Sequence, residues 1–268
     1  MKYKALALDL DGTLTNSKKQ LSEGNKQAIW EAADKDVKII LASGRPTFGI
    51  TPIAKELELE EKGGYILAYN GGNIIDCKTG EMIYSCMMPQ ECIVTICRLA
   101  RESGTYAITY DGDYIVAESD DDCYVKKEAF CNNAQIKKVE DLKEYVDYEV
   151  AKFLIVGEHE KLLPVQKELL RLHGDVINAF FSEDYFLEVV PKDVAKDAAL
   201  DELLGQLSIT SEELVACGDG MNDIPMLKYA GLGVAMENAY PEVKKYANII
   251  APSNDEDGVA ATIREYML

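Results

Sequence analysis

Three features predict a doubly wound α/β core interrupted by an inserted α+β domain. Short apolar runs alternate with helical periodicity over the first 76 or so residues. Hairpin-like pairs and helices mix over residues 82–188, and the strand–helix rhythm returns after Pro191. The expected division is therefore a core of residues 1–81 and 189–268, with residues 82–188 as the insert.

Residues 3–10 are the first expected strand, and their almost unbroken apolarity suits burial on both faces in a parallel sheet. Ser22 can cap a helix reaching about residue 36, with Ala28, Ile29, Ala32 and Ala33 on one face. Residues 37–42 read as a second buried strand, and Pro46 suits the first turn of a helix running to about residue 60. A third strand, residues 65–69, ends in Asn70-Gly71-Gly72. In the insert, strands 105–110 and 114–117 flank Asp111-Gly112-Asp113, helices are expected over 90–102 and 159–172, and two strands over 176–181 and 185–190. The core then resumes with helix 195–207, strand 214–217, helix 223–229, strand 233–236 and a terminal helix near 255–266.

Composition narrows the function. Lys+Arg number 28 against 47 Asp+Glu in 268 residues, a net charge of −19. That excess excludes electrostatically driven binding to nucleic acid or anionic membranes. A chain of this length buries about 73 % of its surface, enough for a core without staples. No run approaches the ~20 apolar residues of a membrane span. Asp9 and Asp11 cut short a faintly signal-like N-terminus with no cleavage site after it, so a cytoplasmic location is expected. Seven cysteines, without a CxxC pair, read as reduced thiols. His159 and His173 lie far from every motif, which argues against histidine catalysis.

The strongest chemical signal is Asp9-Leu10-Asp11-Gly12-Thr13-Leu14-Thr15, directly after the first strand. Residues i and i+2 on a strand share a side, so Asp9 and Asp11 would project together where open α/β sheets bind ligands. Alone, this pattern is as often an acidic surface turn. Gly218-Asp219-Gly220-Met221-Asn222-Asp223, also just past a buried strand, strengthens it by placing further carboxylates at the same sheet edge. Hard oxygen donors in that arrangement suit Mg²⁺ with a phosphate. Leu41-Ala42-Ser43-Gly44-Arg45-Pro46 turns Ser43 and the first backbone N–H groups of a helix toward that edge, an anion-binding arrangement, although Ser43 could equally be a plain cap. Lys196, where the chain re-enters the core, would add a local positive charge that an anion feels more than the net charge.

These four segments together resemble the haloacid dehalogenase superfamily, and within it the Cof-type phosphatases, whose large α/β cap is inserted after the third core strand of a Rossmann-like sheet. The resemblance implies Asp9 as nucleophile and Asp11 as general acid/base. It implies Ser43, Gly44, Lys196, Asn222 and Asn70 around the phosphoryl group. Mg²⁺ would be held by Asp9, Asp219 and the backbone carbonyl of Asp11, with Asp223, Thr13 and Arg45 in support. The acid at position 11 points away from dehalogenases, which lack it, and toward reactions whose leaving oxygen needs a proton. Asp193 and Asp197 stand where the family's third motif often has glycine, adding negative charge to that loop. The expected activity is Mg²⁺-dependent hydrolysis of small phosphate monoesters (a sugar phosphate, nucleotide or cofactor phosphate) through an aspartyl-phosphate. The alternatives are a phosphomutase with the same nucleophile, or a non-enzymatic metal-binding or phospho-acceptor domain. The expected partner is a small phosphorylated metabolite, the insert is expected to confer specificity, and the chain is expected as a monomer or small homo-oligomer.

Overall fold

The computed structural model describes residues 2–268. Its first five strands are Ala5–Leu8 (β1), Lys38–Ala42 (β2), Tyr65–Ala68 (β3), Asn73–Asp76 (β4) and Met82–Ser85 (β5). Six follow: Tyr106–Asp111 (β6), Tyr114–Ala117 (β7), Gln135–Lys138 (β8), Phe153–Val156 (β9), Ile177–Glu183 (β10) and Phe186–Pro191 (β11). The last three are Leu214–Gly218 (β12), Leu232–Met236 (β13) and Ile249–Ala251 (β14).

Eight strands form one sheet in the order β14–β13–β12–β1–β2–β3–β4–β5. From β14 to β3 every pairing is parallel, with helices between successive strands, so the doubly wound reading holds. β1 sits at the centre, and all four of its residues are fully buried. Helix Lys196–Leu207 lays Ala199, Leu200, Leu203 and Leu204 against Ala5, Ala7, Ile40 and Ala216 of the sheet. Each such Leu contributes roughly 2 kcal/mol by burial.

Two local departures have plain causes. The third strand ends at Ala68, one residue short of expectation, and the chain reverses over residues 69–72 so that β4 returns antiparallel to β3. Gly71 makes the reversal possible at φ +98, a region open to glycine. The helix expected over 46–60 is Thr47–Glu56 and then a single turn, Leu59–Lys62, because Glu58 adopts a left-handed φ of 58 between them.

The chain divides into two compact units, one running to Tyr84 and resuming over Ala195–Leu268, the other Ser85–Val194. These boundaries shift the expected 82 and 188. β5 joins the first sheet, and all of β11 belongs to the second. The second sheet has the order β10–β11–β9–β6–β7–β8, antiparallel except for the β7–β8 pair. One of its faces carries Phe153, Ile155, Leu187 and Val189, spaced by two along their strands. Helices Gln90–Ser103 and His159–His173 cover that face with Ile93, Ile96, Leu162 and Leu169, giving the unit an apolar core of its own.

No disulfide joins the seven cysteines among the described residues. Nor is any described helix long and apolar enough to cross a membrane.

Candidate active site

Asp9 continues β1 by one residue, its N–H donating to the Cys217 carbonyl at 3.0 Å. The chain then turns at Gly12, whose φ is +85 and where any β-carbon would strike Asp219 Oδ2. Glycine is required there twice over, for conformation and for space. β12 ends beside β1, and its following loop brings in Asp219 and Asp223. One carboxylate oxygen from each of Asp9, Asp219 and Asp223 lies within 4.8 Å of the others.

Lys196 reaches this cluster from the first turn of its helix. Its ammonium donates to Asp9 Oδ1 at 2.7 Å and to Asp223 Oδ1 at 2.5 Å, and the residue is 1 % exposed. Burial works against its charge, but Asp223 and Asp9 outweigh it and hold the lysine protonated. Asp223 also accepts from the N–H groups of Asp219 (3.0 Å) and Gly220 (2.8 Å) through Oδ2, which fixes the loop. Thr13 Oγ1 donates to Asp219 Oδ1 at 2.7 Å, tying the two aspartate loops together.

Burial, then repulsion from Asp223 and Asp219, pushes the Asp9 carboxyl well up, with Lys196 opposing. Burial also pushes Asp219 up to about 6, with the Thr13 hydroxyl opposing and Asp223 adding to the rise. Three carboxylates facing one lysine leave excess negative charge, and hard oxygen donors at this spacing fit a divalent cation. The donor set therefore suits the metal expected from sequence, although its third carboxylate is Asp223.

Asp11 lies outside this cluster. Its carboxylate accepts from Arg45 Nε (2.7 Å) and Nη2 (2.6 Å), a bidentate pair, and from Lys19 Nζ at 2.5 Å. Burial tends to raise its pKa, but Arg45 and Lys19 prevail and hold it below the usual carboxylate range. Arg45 thus sits beside the general acid expected from sequence, and Lys19 is a contact that sequence reading missed. A lone lysine in a polar stretch carries no signal of its own.

The residues expected around the phosphoryl group meet through the loops after β2 and β3. Ser43 is buried, its Oγ accepting from the Arg45 N–H at 3.2 Å and its carbonyl from the Asn70 N–H at 2.9 Å. Tyr69 and Asn70 both hold left-handed φ values, 54 and 58, a strained arrangement of the kind that gathers at functional sites. Asn70 Oδ1 accepts from Asn222 Nδ2 at 3.0 Å, and a β-carbon at Gly44 would come within 3.1 Å of the Asn70 amide. Ser43, Gly44, Asn70 and Asn222 are thus drawn together. Asp193 is exposed; Asp197 is half-buried, with its Oδ1 lacking a hydrogen-bond partner. The charges acting on Lys196 are those of Asp223 and Asp9.

Residues 6–263 match the family model of the haloacid dehalogenase-like hydrolases. A Bacillus subtilis protein named 5-amino-6-(5-phospho-D-ribitylamino)uracil phosphatase is 30 % identical over 267 residues, covering 99 % of this chain and 96 % of its own. A haloacid dehalogenase-like hydrolase from Bacteroides thetaiotaomicron superposes with a TM-score of 0.93 at 48 % identity, covering 98 % of each chain. A solved sugar phosphatase of subclass IIB in the same superfamily gives a TM-score of 0.84 at 26 % identity, again over 98 % of each chain. This chain belongs to the haloacid dehalogenase-like hydrolases, in their Cof-type branch, and is a phosphoric monoester hydrolase.

Proposed function

We propose that the protein is a Mg²⁺-dependent phosphatase that hydrolyses small phosphate monoesters through an aspartyl-phosphate on Asp9. The observation that carries this reading is the buried Lys196 ammonium, 2.7 Å from Asp9 and 2.5 Å from Asp223. It keeps one Asp9 oxygen oriented and offers a fixed positive charge to a phosphoryl group. Asp9, Asp219 and the Asp11 backbone carbonyl would hold the cation, with Asp223 behind them. When bound, it would neutralise the spreading charge on the phosphoryl oxygens.

In the first half-reaction an Asp9 carboxylate oxygen attacks phosphorus, and the bond from phosphorus to the ester oxygen breaks. Asp11 gives its proton to that departing oxygen, so the product leaves as a neutral alcohol. In the second, Asp11 takes a proton from water as that water attacks phosphorus, the Asp9–phosphorus bond breaks, and inorganic phosphate leaves. To donate first, Asp11 must leave the Arg45–Lys19 pairing that keeps it ionised and take up a proton from water. Ser43, Gly44 and Asn222 orient the phosphoryl oxygens, and Asn70 holds Asn222 in place.

The substrate is a phosphorylated small metabolite (a sugar phosphate, nucleotide or cofactor phosphate), and the insert Ser85–Val194 selects among them. The relatives' named substrates, a phosphoribityl compound and sugar phosphates, support that range. With Mg²⁺ and p-nitrophenyl phosphate, Asp9→Asn is expected to abolish turnover. Wild-type hydrolysis by that variant would overturn the assignment. Free phosphate as the product from a hexose phosphate distinguishes hydrolysis from a mutase, which would return an isomerised ester.

A further inference from the structure

We infer that three asparagines, Asn25, Asn238 and Asn254, are positioning residues for the reaction, because together they pin the backbone of the turn that carries Asp11 and Thr13. The inference rests on the reading of Asp9 and Asp11 as the reacting carboxylates.

Outside its short internal bonds, the turn after β1 has little regular structure to hold it. Its only ladder pairings among the described residues are the isolated bridges Asp11–Thr15 and Thr15–Leu21. Side-chain amides from three separate segments hold it instead. Asn238 Nδ2 donates to the Gly12 carbonyl at 2.7 Å, Asn25 Nδ2 to the Leu14 carbonyl at 3.2 Å, and Asn254 Nδ2 to the Thr15 carbonyl at 2.9 Å. Two of the amides are themselves held from behind, since Asn238 Oδ1 accepts from the Asn254 N–H at 3.0 Å and Asn25 Oδ1 from the Ala260 N–H at 2.9 Å. Asn254 is fixed by that same N–H.

Only a carboxamide does this work. It presents a donor and an acceptor on one short, planar group, whereas a carboxylate offers acceptors alone. The placement of Asn25 is informative. It is fully buried in the first turn of helix Glu23–Ala33, where an unmatched amide would be costly. Its two hydrogen bonds join the turn to helix Gly258–Tyr266, so the asparagine stands where a connection is made.

The consequence falls on chemistry. Gly12 lies between Asp11 and Thr13, and Thr13 holds Asp219. A carbonyl released at Gly12 lets both neighbours drift, and a misplacement of about 1 Å at reacting groups can lower turnover ~100-fold.

The test uses Asn238, whose side chain lies at the surface, so its variants keep the core intact. Asn238→Asp keeps the shape and the acceptor for the Asn254 N–H but cannot donate to Gly12. Asn238→Ala removes the group without adding charge. Both are expected to lower kcat by ~10–100-fold with KM within about threefold, and with thermal unfolding midpoints close to wild type. Hydrogen exchange at the Leu14 and Thr15 amides, read without substrate, should quicken in both variants. Unchanged kcat and exchange would overturn the inference, as would a kcat loss that appears only together with a matching fall in thermal midpoint. A wild-type protein inert toward phosphate esters, with exchange still quickened in the variants, would sink the catalytic reading while leaving the pinning in place.

Discussion

Lys196 concentrates the energetics of the site in one side chain. It is buried with two carboxylates, and removing it leaves Asp9 and Asp223 without their shared cation. Lys196→Met should lower kcat by ~10²–10³ and destabilise the fold by about 3–5 kcal/mol, measured by steady-state kinetics and denaturant unfolding. Near-normal kcat would show that the phosphoryl group draws its positive charge from elsewhere. Asp219 gives a pH signature of its own. Its pKa rises from the ordinary 3.8 to about 6 on folding, so between those values the folded chain keeps a proton the unfolded chain has lost. Stability therefore falls as pH rises through that window, by up to about 3 kcal/mol once complete. With chelator present, Asp219→Asn should melt above wild type near neutral pH and lose that advantage near pH 4. An advantage of equal size at both pH values would contradict this origin. Asp11 runs the other way. Arg45 and Lys19 depress it, so Lys19→Ala should move the pH-rate limb belonging to Asp11 to higher pH, and an unmoved limb would detach Lys19 from the general acid. The motif residues were legible in sequence because strand ends and glycine turns fix where they project. The partners Lys19, Asn25, Asn238 and Asn254 were not, because each acts through a contact distant in sequence or through a backbone carbonyl.

At the scale of elements, the turn after β1 joins local geometry to chemistry. Gly12→Ala must force a left-handed alanine and push its β-carbon into Asp219. The expected result is about 1–3 kcal/mol of lost stability and a large loss of kcat, checked by thermal melts and steady-state kinetics. An alanine variant with normal activity would mean that the Asp219 loop yields easily. The strands around this turn were readable because β1, β12 and, after Lys38, β2 are buried on both faces and so apolar without interruption. β4 and β9, four residues each, escaped notice, although Phe153–Val156 is as apolar and as buried as β1. A short apolar run does not reveal whether it pairs as a strand, and Phe153–Val156 carries no period to settle it. The split in the expected 46–60 helix was equally hidden, since nothing in the local pattern marks Glu58 as left-handed.

At the scale of the molecule, one apolar core is assembled from two stretches of chain and the other from a single one. The continuous unit Ser85–Val194 has its own sheet and its own core, so the excised segment is expected to unfold cooperatively by circular dichroism. A gradual, non-cooperative melt would mean that its core depends on the rest of the chain. The net charge of −19 also finds its explanation at this scale. Under the proposed function it does not oppose an anionic substrate, because Lys196 and a divalent cation would set the local field. The most direct test of the whole account is rapid-quench mass spectrometry of Asp11→Asn with Mg²⁺ and a phosphate monoester. The account predicts that one phosphoryl group accumulates on the peptide containing Asp9 and disappears more slowly than in wild type. Continued hydrolysis with that peptide unlabelled, or the label on another residue, would contradict it.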